Sequence, residues 1–104
     1  GIAAAAVAIC AARTAEELAQ RHGRVPGARM AVVALGKLGG REMTALSDLD
    51  LMILYETPDA EAMSDGERPI YASEWHARFT QRLVTALTVA TKRGTLYEVD
   101  LRLR

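Results

Sequence analysis

Two carboxylates stand at alternate positions, Asp48 and Asp50 of Ser47-Asp48-Leu49-Asp50, at the entrance to the apolar run Leu49 to Tyr55. In extended chain, residues two apart share a face, so both carboxylates are presented together. Neighbouring anions on an apolar strand repel one another unless a positive charge stands between them. A divalent cation would supply that charge. Mg²⁺ takes one or two carboxylates together with phosphate oxygens, and a pair of metals steadies both the attacking and the leaving oxygen of a displacement. Taken alone, an Asp-x-Asp more often caps a helix or decorates a turn.

Three further features move the reading toward chemistry. Gly36 lies twelve positions before Asp48, at the end of the apolar run Met30 to Leu35. A glycine there lets backbone come close to a phosphate. Asp100 is a third carboxylate, on the alternating stretch Leu96 to Leu103. If that strand pairs beside the Asp48 strand, three carboxylates converge on one metal cluster. Each acid also sits in an apolar setting, where a charge needs a partner.

These residues need elements to hold them. Residues 2 to 22 are strong helix formers without internal Pro or Gly, and Gly23 supplies a stop before the loop Val25-Pro26-Gly27. Met30 to Leu35 and Leu49 to Tyr55 suit buried strands, with the glycine-rich turn Gly36-Lys37-Leu38-Gly39-Gly40-Arg41-Glu42 after the first. Thr57 to Pro69, with two prolines and the acids Asp59, Glu61, Asp65 and Glu67, reads as an exposed, solvated and mobile loop. Tyr71, Trp75, Phe79, Leu83 and Leu87 recur every four residues and form the apolar stripe of a helix over 71–92. Trp75 and Phe79 fit the core better than a base-stacking platform, and His76 beside them has no partner that spacing suggests. In the last strand Tyr97, Val99, Leu101 and Leu103 face one way, and Glu98, Asp100, Arg102 and Arg104 the other. The order is helix, strand, turn, strand, loop, helix, strand. That is an α/β (α+β) fold, with a small mixed sheet carrying helices on one face.

The chain has 104 residues, enough for one modest core, and we read residues 1–104 as a single domain: an N-terminal helix and loop over 1–29 and a catalytic core over 30–104. It begins with Gly1 rather than Met and stops at Arg104 inside a strand-like stretch, so a piece of a longer chain is expected, one that need not be active alone. Thirteen basic and thirteen acidic side chains cancel, and the balance gives no sign of a nucleic-acid partner. The lone Cys10 excludes an internal disulfide, His22 and His76 have no zinc-like spacing, and this usage fits a cytoplasmic protein. The apolar stretch Ile2 to Ala12 lacks a preceding basic segment and is too short to span a bilayer, so no membrane partner is expected.

Gly36, eleven residues, Asp48-Leu49-Asp50 and a later strand carboxylate together resemble the DNA polymerase β-type nucleotidyltransferase superfamily, although Lys37 follows the glycine where the superfamily often has Ser. Longer strings are more specific. Leu35 to Glu42, Ser47 to Leu51, and Leu96-Tyr97-Glu98-Val99-Asp100-Leu101-Arg102-Leu103-Arg104 resemble the glutamine synthetase adenylyltransferase family, over about Met30 to Arg104. Members carry two such domains: one attaches AMP to a tyrosine of glutamine synthetase, and the other removes it by phosphorolysis. Met63 to Arg68, with Leu96 to Asp100, resembles the C-terminal, attaching half.

The resemblance implies that Asp48, Asp50 and Asp100 are catalytic and hold Mg²⁺ or Mn²⁺, with ATP as substrate. It places Gly36, Lys37 and Ser47 at the nucleotide phosphates. Arg102 either joins them or pairs with local acids, and Lys37 is otherwise an exposed turn lysine. Glutamine synthetase is the implied protein substrate, and a PII-type nitrogen-signalling protein and glutamine the implied regulators. The rival readings are the deadenylylating half and a non-catalytic nucleotide-binding module.

Overall fold

The computed structural model describes residues 2–36 and 49–92, with side chains described over 5–33 and 51–90. The elements run α1 (Ile2–His22), β1 (Arg29–Gly36), β2 (Leu49–Glu56) and α2 (Ala72–Lys92). This is the expected mixed α/β arrangement. Its described sheet consists of the antiparallel pair β1–β2, from Arg29 opposite Glu56 to Gly36 opposite Leu49. The strand expected over Leu96 to Leu103 lies outside the described residues.

On α1, Val7, Thr14, Ala15, Leu18 and His22 are buried, following the spacing of one helical face. The helix stops where its composition says it should. Gly23 adopts φ 74°, and its N–H donates to Ala19 O at 2.8 Å, closing the last turn in the left-handed conformation that glycine tolerates best.

The expected stripe on α2 is corrected at one end. Trp75, Phe79, Leu83 and Leu87 are buried, but Tyr71 is 53% exposed and precedes the helix, forming an isolated bridge with Met63. At 3.6 residues per turn a strict four-residue repeat drifts by about 40° per step, so four steps carry it off the buried face. Ala72 and His76 complete that face instead.

Direct pairs in an antiparallel ladder share a face, which sorts the sheet residues. Met30 opposite Tyr55 and Val32 opposite Ile53 are in phase with Leu51. Leu51 is fully buried among the helix residues, and Met30, Val32 and Ile53 are half-buried against the same core. Both helices therefore cover this face. Ala31, Val33, Met52 and Leu54 belong to the other, where Leu54 remains 51% exposed.

The 57–70 connection differs from expectation. Its four acids are exposed, as read from composition, but its backbone is tied down. Asp65 and Arg24 exchange two bonds, Asp65 N–H to Arg24 O at 3.0 Å and Arg24 N–H to Asp65 Oδ1 at 2.9 Å. Gly66 N–H donates to His22 O at 2.8 Å and Arg68 N–H to Arg21 O at 3.2 Å, so the loop satisfies carbonyls at the end of α1 that the helix cannot. Ser64 is buried, its N–H donating to Ile70 O and its Oγ accepting from Ile70 N–H. Gly66 is required here, because a Cβ would overlap Gly23 N and the His22 carbonyl carbon.

Candidate active site

β1 and β2 bring the two ends of the carboxylate motif together. Gly36 pairs with Leu49, and Leu35 with Asp50, so the glycine and the second carboxylate position stand at the same end of the ladder. That is the juxtaposition a phosphate-approaching backbone and a carboxylate need. Alternation puts position 50 in phase with Met52 and Leu54, on the sheet face away from the helices. Asp48, Asp100, Lys37, Ser47 and Arg102 lie outside the described residues, as does the side chain of Asp50.

Leu51, next to Asp50, is fully buried together with Phe79, Leu83 and Leu87 of α2. Burying one such side chain contributes roughly 1.5–3 kcal/mol, enough to make a one-residue register slip, which would expose it, unfavourable. The strand therefore presents position 50 in one phase only.

At the other end of the ladder, Tyr55 stacks on His76 with ring centroids 3.9 Å apart and planes 5° from parallel. His76, for which the sequence suggests a surface or partly buried place and no partner, is buried, and its Nδ1–H donates to Ala72 O at 2.8 Å. Burial pushes its pKa below the ordinary 6.5, against a smaller raising effect of that hydrogen bond. Trp75 is core, as expected, with its Nε1–H donating to Gly23 O at 2.8 Å. His22 is also buried and donates through Nδ1 to Arg68 O at 2.7 Å, while its Nε2 has no hydrogen-bond partner. Cys10 is a half-buried free thiol on α1, consistent with a small helix residue.

Among the described residues no cluster of three or more His, Cys, Asp or Glu could hold a metal ion. No helix among them is long and apolar enough to cross a membrane. Sequence reasoning passed over one group that the fold assembles. Arg21, Arg68 and Arg82 come from α1, the loop and α2 to line one groove with Glu17, Leu18, Gln20 and Glu67. Its residues come from three separate stretches, 17–21, 67–68 and 82, so no single stretch of sequence signals the whole group.

Comparison with known proteins agrees with the motif strings. A family model described as glutamate-ammonia ligase adenylyltransferase matches residues 1–104. The chain is 62% identical over 86 residues, 82% of its length, to a bifunctional glutamine synthetase adenylyltransferase/adenylyl-removing enzyme of Xanthobacter autotrophicus. Proteins of the same description from Rhodopseudomonas palustris strain TIE-1 and Brucella suis biovar 1 are each 53% identical, over 86% and 85% of the chain. The chain spans about 9% of the length of each of these relatives. With one family model covering all of it and more than half of the aligned residues identical to such relatives over most of its length, the chain belongs to the glutamate-ammonia ligase adenylyltransferase family.

Proposed function

We propose that this chain forms the metal-binding part of a site that transfers AMP from ATP to a tyrosine hydroxyl of glutamine synthetase. The observation that carries the reading is the Gly36–Leu49 and Leu35–Asp50 register in a member of this family, which seats the motif glycine beside a carboxylate position on the sheet face away from the described helices. The relatives' descriptions name glutamine synthetase as the protein acted on.

The donor set suits a hard cation, since Asp48, Asp50 and Asp100 offer only carboxylate oxygens, the ligands of Mg²⁺ and Mn²⁺. Bound there, the cation supplies positive charge to the ATP phosphates and favours ionisation of a tyrosine hydroxyl whose ordinary pKa is about 10. The chain's own residues do the rest. The Gly36 amide approaches a phosphate at the open end of the ladder, and the Ser47 hydroxyl donates to another. Lys37 and Arg102 offset phosphate charge. The tyrosine oxygen attacks the α-phosphorus in line, a new P–O bond forms, and the bond to the bridging oxygen breaks to release pyrophosphate.

A second reading rests on the relatives' description, which joins adenylyl transfer to adenylyl removal. The same carboxylates would then support attack by inorganic phosphate on the tyrosine-linked AMP, releasing ADP. The full-length enzyme is incubated with glutamine synthetase and α-labelled ATP, and separately with adenylylated glutamine synthetase and phosphate. Label on the protein supports the attaching reading, and ADP release supports the removing one. Label transfer undiminished by Asp48→Asn or Asp50→Asn would sink the assignment of the carboxylates. A PII-type protein belongs to this proposal as regulator of the intact enzyme, tested by its effect on the same label transfer.

A further inference from the structure

The helical layer has two unlike ends. Trp75 Nε1–H donates to Gly23 O, and Glu17, Leu18 and Arg21 share a groove with Arg82. Going back along α1 from residue 23 to 17 thus moves its neighbour on α2 forward from 75 to 82, so the helices run antiparallel. The first half of α1 lies along the last half of α2, and Val7 and Leu87 are buried in one core.

Where α1 finishes and α2 begins, the outward side chains are those of a solvated surface. From residue 13 on, the exposed positions of α1 are Arg13, Glu16, Glu17, Gln20 and Arg21, and Glu74, Arg78, Gln81 and Arg82 are exposed on α2. At the other end charge is missing. Residues 2–12 of α1 and 83–91 of α2 hold no Asp, Glu, Lys or Arg. Ala5, Ala8, Ile9 and Ala12 are nevertheless exposed, and so are Thr85, Thr88 and Val89. Ile9 keeps 60% of its surface and Val89 41%. The two threonines add little polarity. Thr85 Oγ1–H donates to Gln81 O at 3.0 Å and Thr88 Oγ1–H to Val84 O at 2.8 Å, so both hydroxyls bond their own helix and can be buried without an unmet donor.

A helix that is apolar all round belongs inside a protein, and α1 is so over about its first three turns. The chain spans about 9% of the relatives it matches, so nearly all of the polypeptide in such a protein lies elsewhere. We propose that the uncharged end of this helical layer is an interface within one polypeptide, covered by an apolar segment of the full-length protein outside residues 1–104. The charged end stays in water. The covered face holds no residue of the AMP-transfer site, and its burial is independent of that reaction.

The test uses the full-length enzyme. Hydroxyl-radical footprinting of the wild type reads side-chain access to water with nothing substituted. Ile9 and Val89 should react roughly ten-fold more slowly than in the urea-unfolded protein, as fully buried Leu18 and Leu83 do. Reaction of either at close to its unfolded rate overturns the proposal. Protection that fades on dilution puts a second copy of the protein there and overturns it too. Ile9→Glu then measures the cover. On an open helix the change is harmless, since Glu is a better helix former than Ile. Beneath an apolar segment it buries a charge and should shift the folding equilibrium by about ten-fold or more, read as a lower urea midpoint. Gln81→Glu, at the charged end, should leave the midpoint where it is. Equal midpoints for Ile9→Glu and the wild type overturn the proposal. Neither readout involves AMP transfer, so an enzyme that transfers no AMP would leave the interface standing.

Discussion

On one face of β1–β2, Leu51 is fully buried and Met30, Val32 and Ile53 are half-buried beneath two helices; on the other, Val33 and Met52 are half-buried, Leu54 keeps about half its surface and Ala31 is exposed. The two faces alternate residue by residue along the same strands, so every position serves either packing or the open side. Position 50 falls on the open side and position 51 on the packed one. Substitutions one residue apart should therefore fail in different ways. A change at the open face should cost activity with little loss of stability, and a change beneath it should cost stability.

The largest expected effect is on the open face. Asp50→Asn in the full-length enzyme should lower AMP transfer by about 10³-fold, the scale on which losing one group that stabilises transition-state charge is felt. Its urea midpoint should stay near that of wild type. The packed face gives the counterpart. Phe79→Ala removes a fully buried ring and should destabilise by about 3–5 kcal/mol, read from the shift in urea midpoint. An Asp50→Asn protein that unfolds as readily as Phe79→Ala would remove the distinction between the faces.

Much of the packed face was legible in the sequence, because burial leaves a period. The bounds of α1 over 2–22 follow from an unbroken run of helix formers ended by Gly23, and both strands from short apolar runs. Tyr71 was misplaced because a four-residue spacing looks regular in sequence while drifting around the helix. The tie between residues 21–24 and 64–68 left no period at all. It is made by three backbone hydrogen bonds and by two isolated side chains, Asp65 and His22, with two glycines 43 positions apart, Gly23 and Gly66, allowing the close approach. The pairing of His76 with Tyr55 was hidden for the same reason, since it joins distant segments through one ring contact. The motif Asp48-Leu49-Asp50 could be read from sequence as candidate chemistry because two like charges on an apolar strand conflict with packing. The structure adds the register that sets Gly36 beside it.

That tie supplies the next prediction. Gly66→Ala should destabilise by roughly 2 kcal/mol, less than Phe79→Ala, because the loop can retreat and forfeit its bonds to His22 O and Arg21 O without opening the core. Hydrogen exchange localises the effect: the Gly66 region and Arg68 N–H should lose protection while the β1–β2 ladder keeps its own. Equal loss across the ladder would mean that the loop and the packed face form one cooperative unit.

The smallest effect is the pH response of His76, the ring that ends the packed face. Burial favours its neutral form, so its folded pKa lies below the ordinary 6.5 of the unfolded chain. As pH falls, the unfolded chain takes up this proton first, and stability must decline. The contribution is fully present above 6.5 and is lost as the pH drops through the folded value. Urea midpoints measured between about pH 5 and pH 8 should fall toward acid in the wild type, and His76→Gln should flatten part of that slope. A slope that survives unchanged in His76→Gln would mean that the acid sensitivity does not come from this ring.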